Sequence, residues 1–300
     1  HTPIRRQRQM CIRDSMITDR YLLLGHILST VFGLAGLLIV LPNPEIIVGL
    51  PPIGQTLFQW SVAGGGTIYI IFGALAVFLY GIRNFGIFTT LAFMLPSVFL
   101  SLSSELLGTS TGFPFGDYTY LSGLGYKIAG LVPFTIPLSW FYMGFVCYLL
   151  ARCGLQVNSS SSWMRHVGAI AIGAILLTAW DLVLDPAMSQ ASFPFWLFQE
   201  EGSFFGMPYR NLMGWFGTGA IYMTVAALFW GKKTILLSRQ QLNLPLIIYL
   251  VNFAFGATIT VICLDSRFLL PTGLSILLGV VPAIIFWWIS EANKLRLTNF

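Results

Sequence analysis

An all-α, polytopic bundle of about eight membrane-spanning helices is the fold that this 300-residue sequence predicts, on three observations. Apolar types make up 56% of the chain and charged types only 9%, where a soluble domain carries about a quarter charged residues. Apolar runs of near-bilayer length recur from end to end. Between them no polar stretch is long enough to form a soluble domain. The runs read as helices because hydrocarbon offers no partner to an open backbone N–H or C=O. The same balance excludes a nucleic-acid binder, despite a formal net charge of +5, and also a disordered chain or a disulfide-stapled secreted domain.

Residues 1–15 stand apart from this pattern. They hold four Arg and one Asp, and the run Gln9 to Ser15 (QMCIRDS) looks like the in-frame translation of a sequencing-adapter oligonucleotide. They are expected to be unstructured, with Met16 as the start and residues 16–300 as a single membrane domain. The alternative is a short basic cytoplasmic tail. Without this segment the charges nearly balance, so the basic character says little about partners.

Eight spans follow in order: Tyr21–Leu41, Ser61–Gly81, Gly86–Leu107, Ile128–Ala151, Val167–Leu184, Met213–Trp230, Pro245–Cys263 and Gly273–Ile289. A helix needs about 20 residues to cross hydrocarbon roughly 30 Å thick. The fifth, sixth and eighth runs fall slightly short, which leaves seven spans as the alternative. Pro96, Pro133, Pro137 and Pro282 suggest kinks, and Gly64-Gly65-Gly66 suggests close helix packing rather than ligand binding. Cys147, Cys153 and Cys263 form no C-x-x-C pair and read as buried small apolar residues.

Basic residues set the orientation. With the N-terminus inside, Arg20, Arg83, Arg152, Arg165, Lys232, Lys233, Arg239, Lys294 and Arg296 fall on the cytoplasmic side, and Lys127, Arg210 and Arg267 on the other. Both termini are therefore expected in the cytoplasm, the chain being integral to a prokaryotic cytoplasmic membrane. Most acidic residues gather at the opposite, outer end. Glu45, Glu200 and Glu201 fit an acidic loop, whereas Glu105 and Asp181 lie inside apolar runs, where ionisable groups are costly and usually face a cavity.

Asp181 and Asp185, in the run Ala179 to Met188 (AWDLVLDPAM), share one helix face, about 6 Å apart along the axis. Two carboxylates this close in a poorly solvated place do not both ionise cheaply, so one keeps a proton and can act as an acid beside a base. The bland reading is that Asp185 caps the outer loop or pairs with Lys127 or Arg210. Two long loops, 108–120 and 193–215, are rich in aromatics, Gly and Pro. They suit either an interfacial aromatic belt or an aromatic-walled mouth for an apolar ligand. His26 and His166 are far apart and read as interfacial rather than ligating. No spacing of Cys and His fits zinc, and no G-x-G-x-x-G suggests a nucleotide.

Four blocks carry a family resemblance. They are Glu105 to Tyr120 (ELLGTSTGFPFGDYTY), Val132 to Met143 (VPFTIPLSWFYM), Ala179 to Met188, and Phe204 to Trp215 (FFGMPYRNLMGW). In order and spacing they resemble the carotenoid 1,2-hydratase family of integral membrane proteins, the group that contains γ-carotene 1′-hydratases and bisanhydrobacterioruberin hydratase. The stretch Gln190 to Glu201 matches least. The resemblance implies addition of water across the terminal C1–C2 double bond of an acyclic or monocyclic carotenoid, with no metal or other cofactor. It implies Asp181 or Asp185 as proton donor and Glu105 as the group that orients or deprotonates water. It further implies Asp117, Tyr118, Tyr120, Trp140, Trp180, Asn211 and Trp215 around the substrate. Two rivals remain from the residues alone. Asp181-x-x-x-Asp185 also resembles a Mg²⁺–diphosphate motif of membrane prenyltransferases, and unpaired intramembrane acids suit a proton-coupled transporter or a carotenoid-binding protein.

Overall fold

The computed structural model describes the backbone of residues 2–157, 163–231, 235 and 237–297, and the side chains of residues 18–157, 163–231, 235 and 237–290. Its helices are α1 (Thr2–Ala35, running into a π-helical turn Gly36–Val40), the short α2 (Pro44–Val48), α3 (Pro52–Phe85) and α4 (Ile87–Thr111). Next come α5 (Thr135–Gly154), α6 (Trp163–Ser189), α7 (Tyr209–Trp230), α8 (Arg239–Cys263), α9 (Leu269–Ser275) and α10 (Val281–Leu297). Among the described residues eight stretches are long and apolar enough to cross a membrane, the last being Ser266–Ser290, in which α9 and α10 are joined through a π-helical turn. The runs that look short are full length, at 27 residues in α6, 22 in α7 and 25 in the last crossing. Polar positions such as His166, Asp185 and Arg210 continue those helices beyond their apolar cores.

The fourth span differs from the expected one. It begins at Thr135, and the preceding residues form a small antiparallel pair, β2 (Lys127–Ile128) with β3 (Val132–Pro133). The reason is local: Ala129 (φ 51°) and Gly130 (φ 73°) turn the chain in the left-handed region, and Pro133 has no N–H to give a helix. Pro133 thus lies in a strand, Pro137 and Pro282 sit in first helical turns, and the prolines inside helices are Pro96, Pro186 and Pro245.

α5 is the central helix, packed on α3, α4, α6, α8 and α10. All but Leu138 of its 20 residues are buried. Helices in lipid gain little from the hydrophobic effect and associate through small residues and interhelical hydrogen bonds. Both are present here. A Cβ on Gly144 would sit 1.9 Å from the Tyr222 hydroxyl oxygen, so only glycine lets α5 and α7 approach this closely. Tyr142 donates to Asn252 Oδ1 at 2.8 Å, and Thr260 and Tyr249 donate to the Val183 and Leu176 carbonyls, each at 2.9 Å. These bonds tie α5 to α8 and α8 to α6.

His26 is not interfacial. It is fully buried in α1, with Nδ1 2.8 Å from the Tyr69 carbonyl and Nε2 3.0 Å from Asn252 Nδ2. Near the same end of α1, buried Asp19 pairs with Arg83 of α3. Cys147 and Cys153 are buried as expected, but Cys263 is exposed at the end of α8. The side chains of residues 1–15, expected to pack against nothing, lie outside the described residues, as do those of Lys232, Lys233, Lys294 and Arg296.

Candidate active site

α4 and α6 are the third and fifth crossings, run in the same direction, and so deliver their C-terminal ends to one face of the bundle. The long loops that follow them are joined there. Strand β1 (Tyr118–Tyr120) pairs antiparallel with β4 (Trp196–Phe198), placing Tyr118 opposite Phe198 and Tyr120 opposite Trp196. Side chains alternate across a strand, so Tyr118 and Tyr120 both point inward and are buried, while Thr119 is exposed. Glycines allow this closure. Gly112 ends α4 in the left-handed conformation (φ 77°), and a Cβ on Gly108 would lie 2.9 Å from Phe115 and 3.1 Å from Tyr118.

Under the ribbon Glu105, 3% exposed, accepts three hydrogen bonds. Trp140 Nε1 donates to its Oε1 at 2.9 Å, the Tyr120 hydroxyl to its Oε2 at 2.9 Å, and the Tyr118 hydroxyl also to Oε2. Burial first, and then the charge of Glu105, push both phenols well above the ordinary tyrosine range, so they remain protonated donors. Asp185 accepts from Trp196 Nε1 at 2.9 Å on Oδ1 and from Asn211 Nδ2 on Oδ2. The same Asn211 nitrogen is 3.0 Å from Asp181 Oδ2, so one amide from the first turns of α7 joins the two aspartates. Asp181 is fully buried, and its Oδ1 has no hydrogen-bond partner among the described residues.

Glu105 and Asp185 line a single cavity of about 40 Å³, walled by Trp140, Trp215, Tyr118 and Phe115. Asp181 lies behind Asp185 rather than on this wall. Trp215 stacks on Trp140 with ring centroids 4.2 Å apart, and Trp180 meets the edge of Trp215 at 5.8 Å. A second cavity of about 250 Å³ adjoins the first, and Ile136, Ser139, Leu184 and Trp196 border both. It is a mainly apolar groove, reaching Trp180, Tyr69 and Phe255 and bounded by α1 and α3. The glycine run of α3 therefore serves two ends. Gly66 packs closely, since a Cβ there would lie 2.8 Å from the Gly123 carbonyl, while Gly65 borders the groove and a Cβ there would meet nothing within 4 Å.

Of the ten residues singled out in the sequence, the structure gathers Glu105, Asp185, Tyr118, Tyr120, Trp140, Asn211 and Trp215 at the small cavity. Trp180 lines the groove, and Asp181 stands behind Asp185. Asp117 points away from the site. Its side chain is 58% exposed and lies 3.8 Å from Arg210, which bonds Glu200 at 2.5 Å. Asp185 therefore pairs with neither Arg210 nor Lys127, whose Nζ donates to the Tyr120 carbonyl at 2.5 Å. Trp196, Phe115 and Ser139 belong to the site without having been singled out. Trp196 sits in the stretch that matches the family blocks least, and a lone Trp in an aromatic loop carries no periodic signal.

Among the described residues no group of three or more His, Cys, Asp or Glu has metal-holding geometry. The constellation suits proton transfer to an apolar molecule instead: paired acids beside a well-hydrogen-bonded carboxylate, aromatic faces, and an apolar channel.

Comparison with known proteins places the chain among carotenoid-biosynthesis proteins. No solved structure matches the chain. It is 35% identical, over 121 residues, to bisanhydrobacterioruberin hydratase of Haloarcula japonica, a match covering 40% of this chain and 39% of that relative. The family model described as "Carotenoid biosynthesis protein" matches residues 65–282, which contain all three carboxylates, both strands of the ribbon and most of the groove, and the chain belongs to that family.

Proposed function

We propose that this protein is a carotenoid hydratase that adds water across the terminal C1–C2 double bond of an acyclic carotenoid end. The observation that carries the reading is the shared wall between the carboxylate cavity and the apolar groove. A polyene in the groove brings its end to the carboxylates and leaves the rest of its length against apolar side chains. The small cavity, of about 40 Å³, has room for about three or four waters at roughly 10–15 Å³ each.

The residues divide the work by their partners. Asp181 and Asp185 share one amide donor, and among the described residues neither is in an ion pair, so the pair holds a proton between them. Asp185, which borders the cavity, gives that proton to C2; the π electrons form the new C–H bond and leave a tertiary cation at C1. Trp140, Trp215 and Tyr118 present ring faces and edges around this charge, and a cation near an aromatic face is stabilised by about 0.5–2 kcal/mol. Three donors favour the carboxylate form of Glu105; in that form it stabilises the cation, orients the water and receives the proton released as the C1–O bond forms. Return of that proton to the aspartate pair through cavity water completes the cycle, and the net change is one water added.

The test is expression in a cell that makes lycopene or γ-carotene, followed by pigment mass analysis. The expected product is heavier by one water per modified end, with deuterium at C2 when the reaction runs in heavy water. Unchanged pigments alongside a folded, membrane-inserted protein would refute the reading. Magnesium-dependent turnover with a diphosphate substrate would favour the prenyltransferase alternative, and proton-driven flux without conversion would favour a transporter.

A further inference from the structure

The geometry points to Trp196 as a positioning residue that fixes the Asp185 carboxyl and, through the strand pairing of β1 with β4, sets its place relative to Glu105. This role rests on the hydratase reading for the reaction it serves, but the contact itself does not depend on it. Four features lead here. The indole Nε1 donates to Asp185 Oδ1 at 2.9 Å while Asn211 holds Oδ2, so the two donors define the plane of the carboxyl. Trp196 is 8% exposed and lies directly opposite Tyr120, which donates to Glu105. The two rings meet edge to face with centroids 5.9 Å apart. Thus one two-stranded ribbon carries a donor for each of the two cavity carboxylates.

The ribbon is itself anchored. Phe195 N donates to the Met188 carbonyl at 2.7 Å, Leu121 N to the Phe195 carbonyl at 2.8 Å, and Gln199 N to the Asp117 carbonyl at 2.7 Å. The first of these bonds binds β4 to the end of α6, the helix that carries both aspartates. Trp196 also borders both cavities, so its ring stands where a polyene end would pass from groove to acid. A hydrogen bond to a carboxyl whose angle decides proton delivery acts on turnover more than on binding.

Two measurements test the assignment. In Trp196→Phe an aromatic ring remains, smaller than the indole, and the N–H is lost; kcat is expected to fall about tenfold or more, as for loss of a hydrogen bond to an ionisable partner. KM for the carotenoid is expected to change less than about twofold, as for a group outside uniform substrate binding. Asp185→Asn and the double variant Asp185→Asn/Trp196→Phe are expected to have the same residual activity, because Trp196 acts through Asp185. Multiplicative losses in the double variant, or a rise in KM without a fall in kcat, would overturn the role. The second measurement needs no turnover. With ¹⁵N-indole labelling, the Trp196 resonance, identified by its loss in Trp196→Phe, is expected to move in Asp185→Asn, whereas that of Trp230, which donates to the Thr89 carbonyl, stays in place. An unmoved Trp196 resonance would overturn the contact. If the pigment changes without gaining water, the hydratase reading falls while non-additivity still supports Trp196; if no pigment changes, the indole resonance decides the contact alone.

Discussion

Asp181 and Asp185 are both buried to within 2% of full burial, yet they are not equivalent, because only Asp185 borders the cavity. Asp185→Asn keeps size and polarity and removes the transferable proton. Conversion measured by pigment mass is expected to fall at least about 10²-fold, the lower range for a positioned general acid, with carotenoid still bound. Asp181→Asn is expected to lose less, since it removes the partner that shares the proton and not the donor itself. Trp180→Leu is expected to cost less again, because Trp140 and Trp215 still wall the cavity. Asp117→Asn is expected to be nearly silent, since that carboxylate lies at the surface beside Arg210. The carboxylates were legible in the sequence because charge inside an apolar run is rare and expensive. Trp196 was not legible, because its function comes from a strand pairing between loops nearly eighty residues apart. Asp117 was misleading for the opposite reason: it sits in the strongest motif, but the alternation that turns Tyr118 inward leaves its own side chain exposed.

Among the elements, the ribbon and the end of α4 depend on glycine at defined points. Gly112→Ala forces a Cβ into the left-handed region, at about 1–2 kcal/mol, and within 2.3 Å of Asp117 Oδ1. Its thermal midpoint in detergent is expected to drop measurably. Gly108→Ala presses on Phe115 and Tyr118 and so disturbs a donor to Glu105. Its activity is expected to fall more than its stability, and thermal unfolding set beside pigment conversion would separate the two. Full activity in Gly108→Ala would mean that the Tyr118 contact is not needed. The long helices were legible from apolar length alone. The hairpin of β2 and β3 was not, because its residues are as apolar as those of a span and the turn is set by the two left-handed positions Ala129 and Gly130.

For the whole molecule, the carboxylate cavity lies at the end of the bundle where α4 and α6 finish, and the excess of basic residues lies at the other. We propose from that charge bias that the cavity faces away from the cytoplasm. With the exposed native Cys263, which ends the seventh crossing on the same side as the cavity, replaced by Ser, a cysteine in place of Tyr126, which is 78% exposed, is expected to react in intact cells with a membrane-impermeant maleimide. A cysteine in place of Trp163, 70% exposed at the opposite end, is expected to react only after lysis. The reverse labelling pattern would invert the orientation. Chelator is expected to leave conversion intact, because the proposed proton transfers use only carboxylates and water, and among the described residues no group of three or more His, Cys, Asp or Glu has metal-holding geometry.

The central place of α5 bears on how the chain enters the membrane. It is the least apolar of the eight crossings and the most enclosed. A segment walled by its own neighbours needs no greasy exterior in the finished bundle, but it must first leave the translocon, where its sequence is weighed against lipid. α5 is therefore expected to insert late, as a guest of α4 and α6, whose packing supplies the surroundings that lipid does not. Nascent chains halted after Gly154 would then hold this segment outside the bilayer, within reach of a glycosylation reporter, and chains extended through Ser189 would not.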